Sequence, residues 1–484
     1  MKRLVALSLS AVALAACSPD VSPVGPTAAL RTAADAPWSV GIGNTVIVTH
    51  GYASGKGSFR DAILRANADA NIQRIEIKPA NLTVRLDESV AYTGAQALTI
   101  IGKRSTIDAS ALAGSALIAN GGADLTIEDL TIQDAGGEGL EVQIPTTATG
   151  TITVVLRHVT ALRNAGHGVL INDQEQTDTT DGVQPNGSGS AAALVVQVEN
   201  VRFAENGYSV SDRDGLRINE GGAGDLTFTA INARSEDNAA DGIELDERGN
   251  GSIFVDVRDT QILRNGKFDP EDLDDGFDID EYDAGSIVGS MVRTSANDNY
   301  EEGLDFNENN AGDLRVDLSN VEASRNREEG IDYEEDDDFA GGGDLVTTMV
   351  DIIADGNGAD GGDAGLKIRE KGDGNLEADV TRVRTSANVI GGISIREDAT
   401  GSLRSTITAA TAQGNTGNGI DFDENSAGNL TAMVLESAST NNGRVGVRAD
   451  EASDGVGSLT LTAVTISGNV NGNTSGNVSP VITL

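Results

Sequence analysis

Gly276-Phe277-Asp278-Ile279-Asp280-Glu281 is answered 27 residues later by Gly303-Leu304-Asp305-Phe306-Asn307-Glu308. After 27 more comes Gly330-Ile331-Asp332-Tyr333-Glu334-Glu335. The same string, a Gly followed by apolar and variable positions in turn and closed by Glu, starts at Gly215, Gly242, Gly365, Gly392 and Gly419. A weaker copy starts at Gly446, and copies lacking the Glu start at Gly139 and Gly168. Steps from Gly215 to Gly446 are 27, 34, 27, 27, 35, 27, 27 and 27. Apolar residues in alternation mean strands with one buried face. A second apolar column runs Leu98, Leu125, Ile152, Leu194, Leu226, Ile253, Ile287, Leu314, Leu345, Leu376, Leu403, Leu430 and Leu459. A third column is Asn, from Asn164 and Asn206 through Asn299 to Asn469, and is expected to form a hydrogen-bonded ladder at one turn. Gly, Asn and Asp punctuate the units and are expected to supply left-handed turn conformations. No helix-period segment separates the units, so the coils must stack directly into an all-β parallel β-helix of about 27 residues per coil.

Working outward toward the amino terminus, Ser58-Phe59-Arg60-Asp61-Ala62-Ile63-Leu64-Arg65-Ala66-Asn67 reads as a helix. Ser58 is its cap, and Phe59, Ile63, Leu64 and Ala66 are its apolar contacts. An open solenoid end exposes strand edges, so this helix is the expected plug. Gly57-Ser58-Phe59-Arg60-Asp61-Ala62-Ile63, with Asn67 and the strand Ile75-Glu76-Ile77, resembles the opening of secreted bacterial right-handed β-helix proteins of the pectate-lyase-like superfamily. The resemblance implies a right-handed coil and an amino-terminal capping helix. It implies no activity, since this fold hosts many chemistries.

Further upstream, Met1-Lys2-Arg3 and an apolar run end in Leu14-Ala15-Ala16-Cys17, which resembles a bacterial lipobox. That implies cleavage before Cys17, lipidation of Cys17 and anchoring at the outer membrane or cell surface. The expected organisation is a signal peptide over 1–16, a lipidated Cys and tether over 17–36, a cap and first coils over 37–97, and the β-helix over 98–484. Cys17 is the single cysteine, which excludes a disulfide scaffold. The formal charge of −41 excludes nucleic acid as a partner. A membrane reached through the lipid anchor and a polysaccharide are the expected partners, and the chain is expected to be a monomer.

Chain insertions at 168–194, 206–215, 265–276, 330–345 and 357–365 all flank the repeated Gly strand, so its outward face is the expected groove floor. Two positions past each Gly stand Arg217, Glu244, Asp278, Asp305, Asp332, Lys367, Ser394, Asp421 and Arg448. Four positions past stand Asn219, Asp246, Asp280, Asn307, Glu334, Arg369, Arg396, Asp423 and Asp450. Five positions past is the unbroken Glu run from Glu220 to Glu451, taken as part of the same face or as caps on turn N–H groups. Like charges roughly 5 Å apart repel by about 0.8 kcal/mol in water and several times more near an effective dielectric of 20. Cations are therefore expected there, and oxygen-only ligands suit Ca²⁺. The candidate ligands are Glu244, Asp246, Asp278, Asp280, Asp305, Asp332 and Glu334, with Glu247, Glu281 and Glu308 as candidate binding residues. The densest acidic stretch runs from Asp269, Glu271 and Asp272 to Asp283 and matches neither the EF-hand nor the calcium-roll pattern.

Lys367, Arg369 and Arg396 interrupt the acidity. Superfamily lyases of acidic polysaccharides pair such bases with Ca²⁺, so these three are the catalytic candidates if the chain is an enzyme. A basic insert also relieves repulsion from its acidic neighbours with no substrate involved. Gly166-His167-Gly168 resembles a polygalacturonase-like signature, but its companion motifs are absent, so His167 reads as a repeat residue. The expected function is an anchored, non-catalytic β-helix binding an extracellular polysaccharide or surface with help from Ca²⁺. The alternative is a polysaccharide lyase or hydrolase acting in the groove.

Overall fold

A computed structural model describes residues 44–174, 189–209, 212–267, 273–336, 342–452 and 455–483. The expected signal peptide, Cys17 and tether lie outside the described residues, as do 175–188 of the first insertion and Asp269, Glu271 and Asp272. The chain is a right-handed parallel β-helix of about 27 residues per turn. One sheet stacks 14 strands from Val90–Tyr92 to Thr474–Ser475 and carries the repeated Gly strand. The other described strands form a second, 24-stranded sheet that wraps the remaining faces.

Register follows the repeat residue for residue. Leu216 pairs with Ile243, Ile243 with Phe277, and Phe277 with Leu304. Isolated bridges carry the column through Ile331 to Leu366. These side chains stack inside the coil and are fully buried, each contributing on the order of 2 kcal/mol relative to exposure. At the amino-terminal end a helix spans Phe59–Ala68, with Ser58 Oγ accepting the Asp61 N–H at 3.1 Å. Phe59, Ala62, Ile63 and Ala66 are buried against neighbouring strands. Leu64 is 59% exposed, correcting its expected contact, because it sits one step around from Ile63 on the outer side of the helix.

The Asn ladder forms. Asn206 Nδ2 donates to Asn238 Oδ1 at 3.0 Å, Asn238 to Asn265 at 3.0 Å, Asn265 to Asn299 at 3.2 Å and Asn299 to Asn326 at 3.1 Å. Backbone N–H groups join in: Asn265 N–H donates to the same Asn299 Oδ1 at 3.0 Å. This ladder explains the Gly column. A Cβ on Gly276 would lie 2.4 Å from Gly303 O and 2.5 Å from Asn299 Nδ2. The requirement is close approach, not backbone conformation. Left-handed positions lie elsewhere, and most hold the expected Gly, Asn or Asp, such as Asn232, Asp259, Asn320 and Gly414 with φ between 52° and 68°. Arg293, Arg382, Ala409, Glu436 and Ala463 adopt the same conformation, with φ between 51° and 56°, so the coil imposes this turn on other residue types as well. Gly276→Ala is expected to cost about 3 kcal/mol by forced displacement of the ladder. Gly114→Ala, whose Cβ would meet Ser89 Oγ at 3.7 Å, is expected to be near neutral. Urea melts of the two variants check this.

Candidate functional site

The Glu column is placed inside the coil. Glu247, Glu281 and Glu308 are 0% exposed, so their expected position on the groove floor is corrected. Parity is the reason: a residue five past the Gly points the same way as the apolar residues one and three past it. One oxygen of each rung accepts a turn N–H, such as Gly285 to Glu281 at 3.1 Å, Gly312 to Glu308 at 3.0 Å and Gly343 to Glu335 at 2.7 Å. Neighbouring rungs, among them Glu247 with Glu281 and Glu335 with Glu370, contact through their carboxyls, which requires a proton on one partner. Burial pushes the column up; at Glu247, Glu308, Glu335 and Glu424 a neighbouring carboxyl adds to it, whereas at Glu220, Glu370 and Glu397 the neighbour's hydrogen bond partly offsets it. Glu397 and Glu424 reach about 7, Glu220 and Glu370 about 8, and Glu335 about 9. Glu308 reaches about 10 and Glu247 about 11.

The outward face divides by column. Four past the Gly, the acids meet partners of their own chain. Asp246 takes Arg217 at 3.2 Å and Arg248 at 3.1 Å. Asp280 accepts the Tyr282 hydroxyl, and Tyr282 also underlies the Arg248 guanidinium at 4.3 Å. Glu334 is held by Lys367 and Lys371. Two past the Gly, Asp332 is neutralised by Lys367 at 2.7 Å. Glu244 meets Arg217 at 2.7 Å through one oxygen only. Asp278 and Asp305 are met by no Lys, Arg or His among the described residues.

A further acidic column lies immediately before the Gly: Asp214, Asp241, Asp275, Glu302 and Glu329, all buried. Sequence reading missed it, although comparing the residue before each Gly would have found it. Here one carboxylate oxygen is tied into the next coil. Asp241 N–H donates to Asp214 Oδ1 at 3.0 Å, Asp275 N–H to Asp241 at 2.5 Å and Glu302 N–H to Asp275 at 2.7 Å. This column and the one two past the Gly converge. Carboxylate oxygens of Asp241, Glu244 and Asp278 lie within 4.8 Å of one another, as do those of Asp275, Asp278 and Asp305. So Glu244, Asp278 and Asp305 are brought together, whereas Asp246, Asp280, Asp332 and Glu334 fall in none of these groups.

Of the catalytic candidates, Lys367 is half enclosed between Asp332 and Glu334. Burial pulls its ammonium down, but those two carboxylates outweigh burial and hold it above its ordinary value. Arg369 Nε donates to Asp398 at 2.6 Å. Among the described residues, Arg396 reaches Asp363 and Asp423 only at 3.8 Å each, and its Nε is enclosed without a hydrogen-bond partner. It faces a cleft of about 390 Å³ lined also by Ser394, Asn418, Asp421, Arg444 and Arg448. Arg448 is tied to Asp421 and Asp423, but Arg444 has no carboxylate within 4.0 Å among the described residues. His167 is buried, with Nδ1 accepting the Asp214 N–H at 2.9 Å, and takes no part in this cleft.

No protein-family model matches the chain, and no curated protein matches it. Among solved structures it is similar to pectate lyase Pel9A, at 14% identity over 66% of this chain and 79% of that one, with a TM-score of 0.41. It is similar to a GH87 alpha-1,3-glucanase catalytic domain in complex with tetrasaccharides, at 13% identity over 90% and 68%, with a TM-score of 0.40. It is also similar to the periplasmic alginate epimerase AlgG, at 11% identity over 91% and 86%, with a TM-score of 0.32.

Proposed function

We propose that this β-helix is a non-catalytic binder of an acidic extracellular polysaccharide, assisted by Ca²⁺ and anchored through a lipidated Cys17 at the outer membrane or cell surface. The observation that carries the reading is the cleft of Arg396, Arg444 and Arg448, where among the described residues one guanidinium has no carboxylate partner and another has only distant ones. A guanidinium fork is matched to a sugar carboxylate, and the paired donors give geometric selectivity. Lysine or arginine acting as a base in a lyase must present a neutral nitrogen to the sugar. Lys367 is instead held cationic, and Arg369 is engaged by Asp398. Low aromatic content (3%) also disfavours stacking on neutral sugars.

The test is affinity electrophoresis of the purified chain through gels containing polygalacturonate, alginate or neutral dextran, with Ca²⁺ or chelator. Retardation by the uronates and not by dextran is expected, with about tenfold weakening in Arg444→Ala and Arg396→Ala. Absorbance of unsaturated uronates should stay flat. Product formation that disappears in Lys367→Ala would establish the lyase instead, and absence of retardation by any uronate would overturn the reading.

A further inference from the structure

Six consecutive coils place Arg217, Glu244, Asp278, Asp305, Asp332 and Lys367 in one register column. The two ends supply their own cations. Arg217 lies 2.6 Å from Asp212, 3.6 Å from Asp214 and 2.7 Å from Glu244. Lys367 closes the other end on Asp332 at 2.7 Å. Between them, Asp241, Asp275, Asp278, Glu302 and Asp305 lie within 4.0 Å of no Lys, Arg or His nitrogen among the described residues. The same geometrical position is therefore filled by a positive side chain at either end and by none in the middle.

We infer that the middle of this row is a two-ion site for a calcium-like cation, with Asp241, Glu244 and Asp278 holding one ion and Asp275, Asp278 and Asp305 the other. Glu244 points to a ligand independently of the clustering. It is 6% exposed, and while its first oxygen meets Arg217, its Oε2 has no hydrogen-bond partner among the described residues. Asp278 Oδ1 and Asp305 Oδ1 are enclosed in the same condition. Oxygens that all lie within 4.8 Å of one another can be reached together by one ion with bonds of about 2.3–2.6 Å. Because Asp241 and Asp275 each lend Oδ1 to the next coil's N–H, their carboxylates are held in place before an ion arrives. Water and a sugar carboxylate would complete the shell. The inference deepens the cation-assisted reading above and gives the cation a place.

Chelator-stripped protein is titrated with CaCl₂ by calorimetry, and bound ions are counted by native mass spectrometry. The wild type should bind two ions and melt at a higher temperature when loaded. Asp278 is shared, so Asp278→Asn should weaken both sites by about tenfold or more, while its chelated form keeps the wild-type circular dichroism and melting temperature. Asp280→Asn, one column across, should leave the affinity within about twofold of wild type, since its carboxylate is engaged by Tyr282. No bound ion, or an Asp278→Asn affinity equal to wild type, overturns the site. Uronate retardation that persists with no ion bound would sink the array and leave the polysaccharide reading standing. Two bound ions without uronate retardation would do the reverse.

Discussion

Asn299→Ala should destabilise the central coils by about 4 kcal/mol. The side chain donates to Asn326 Oδ1 at 3.1 Å, and its oxygen accepts both the backbone N–H and the side-chain Nδ2 of Asn265, at 3.0 and 3.2 Å. Asn265 is fully buried, so truncation strands its backbone N–H beyond reach of water and leaves Nδ2 only its long 3.4 Å bond to Ser235 O. Each stranded donor costs about 1–3 kcal/mol, against about 1 kcal/mol for a hydrogen bond lost in a neutral exchange. In a solenoid each repeat leans only on its neighbours, so the damage should be local. Urea melts followed by circular dichroism should show the loss. Amide exchange should rise first in the coils that contain Asn265, Asn299 and Asn326. Unchanged protection there would refute a structural ladder.

Stability should fall as pH rises through the neutral and alkaline range, despite the many acids on this chain. The Glu column holds its protons more tightly folded than unfolded, where the ordinary value is near 4.5. A group raised in this way gives its full contribution below the unfolded value and loses it as pH climbs through the folded one. Those folded values run from about 7 at Glu397 to about 11 at Glu247. From the ordinary value near 4.5 up to its own folded value, each group costs up to about 1.4 kcal/mol per unit of pH. Carboxylates lowered in the fold act in the opposite sense. Hydrogen bonding to Arg234 is the largest cause that holds Glu236 down to about 2, so its contribution is present above the ordinary value and lost in acid. The melting temperature, measured with chelator present, should therefore peak near about pH 4–5 and fall above it. Glu308→Gln keeps an acceptor for the Gly312 N–H and removes the titration, so it should raise stability by about 1–2 kcal/mol at pH 9 and little at pH 5. A melting temperature that is flat or rising from pH 6 to 9 would refute the shared-proton column.

Much of this was legible because a solenoid writes its contacts at a fixed separation. The Asn column and the register of Glu244 on Asp278 and Asp305 follow from counting, since the residue one coil away is the neighbour. The inward placement of the Glu column is also written in the sequence, as parity with the apolar positions one and three past the Gly. The column of Asp241 and Asp275 stands before the Gly, outside the alternating strand pattern that makes the repeat legible.

The sequence by itself determined the coil, its register and the ladder of Asn. Those depend on which residue stands one repeat away, and periodicity states that directly. Tertiary structure alone decided which acids are spoken for. Asp246 is engaged by Arg248 and Asp280 by Tyr282, both just past the strand, while Glu244 and Asp278 converge with Asp241 across a bend in the chain. Charge neutralisation acts over a few ångströms between atoms, and where a side chain's end comes to rest is set by the walls around it and not by its position in the repeat.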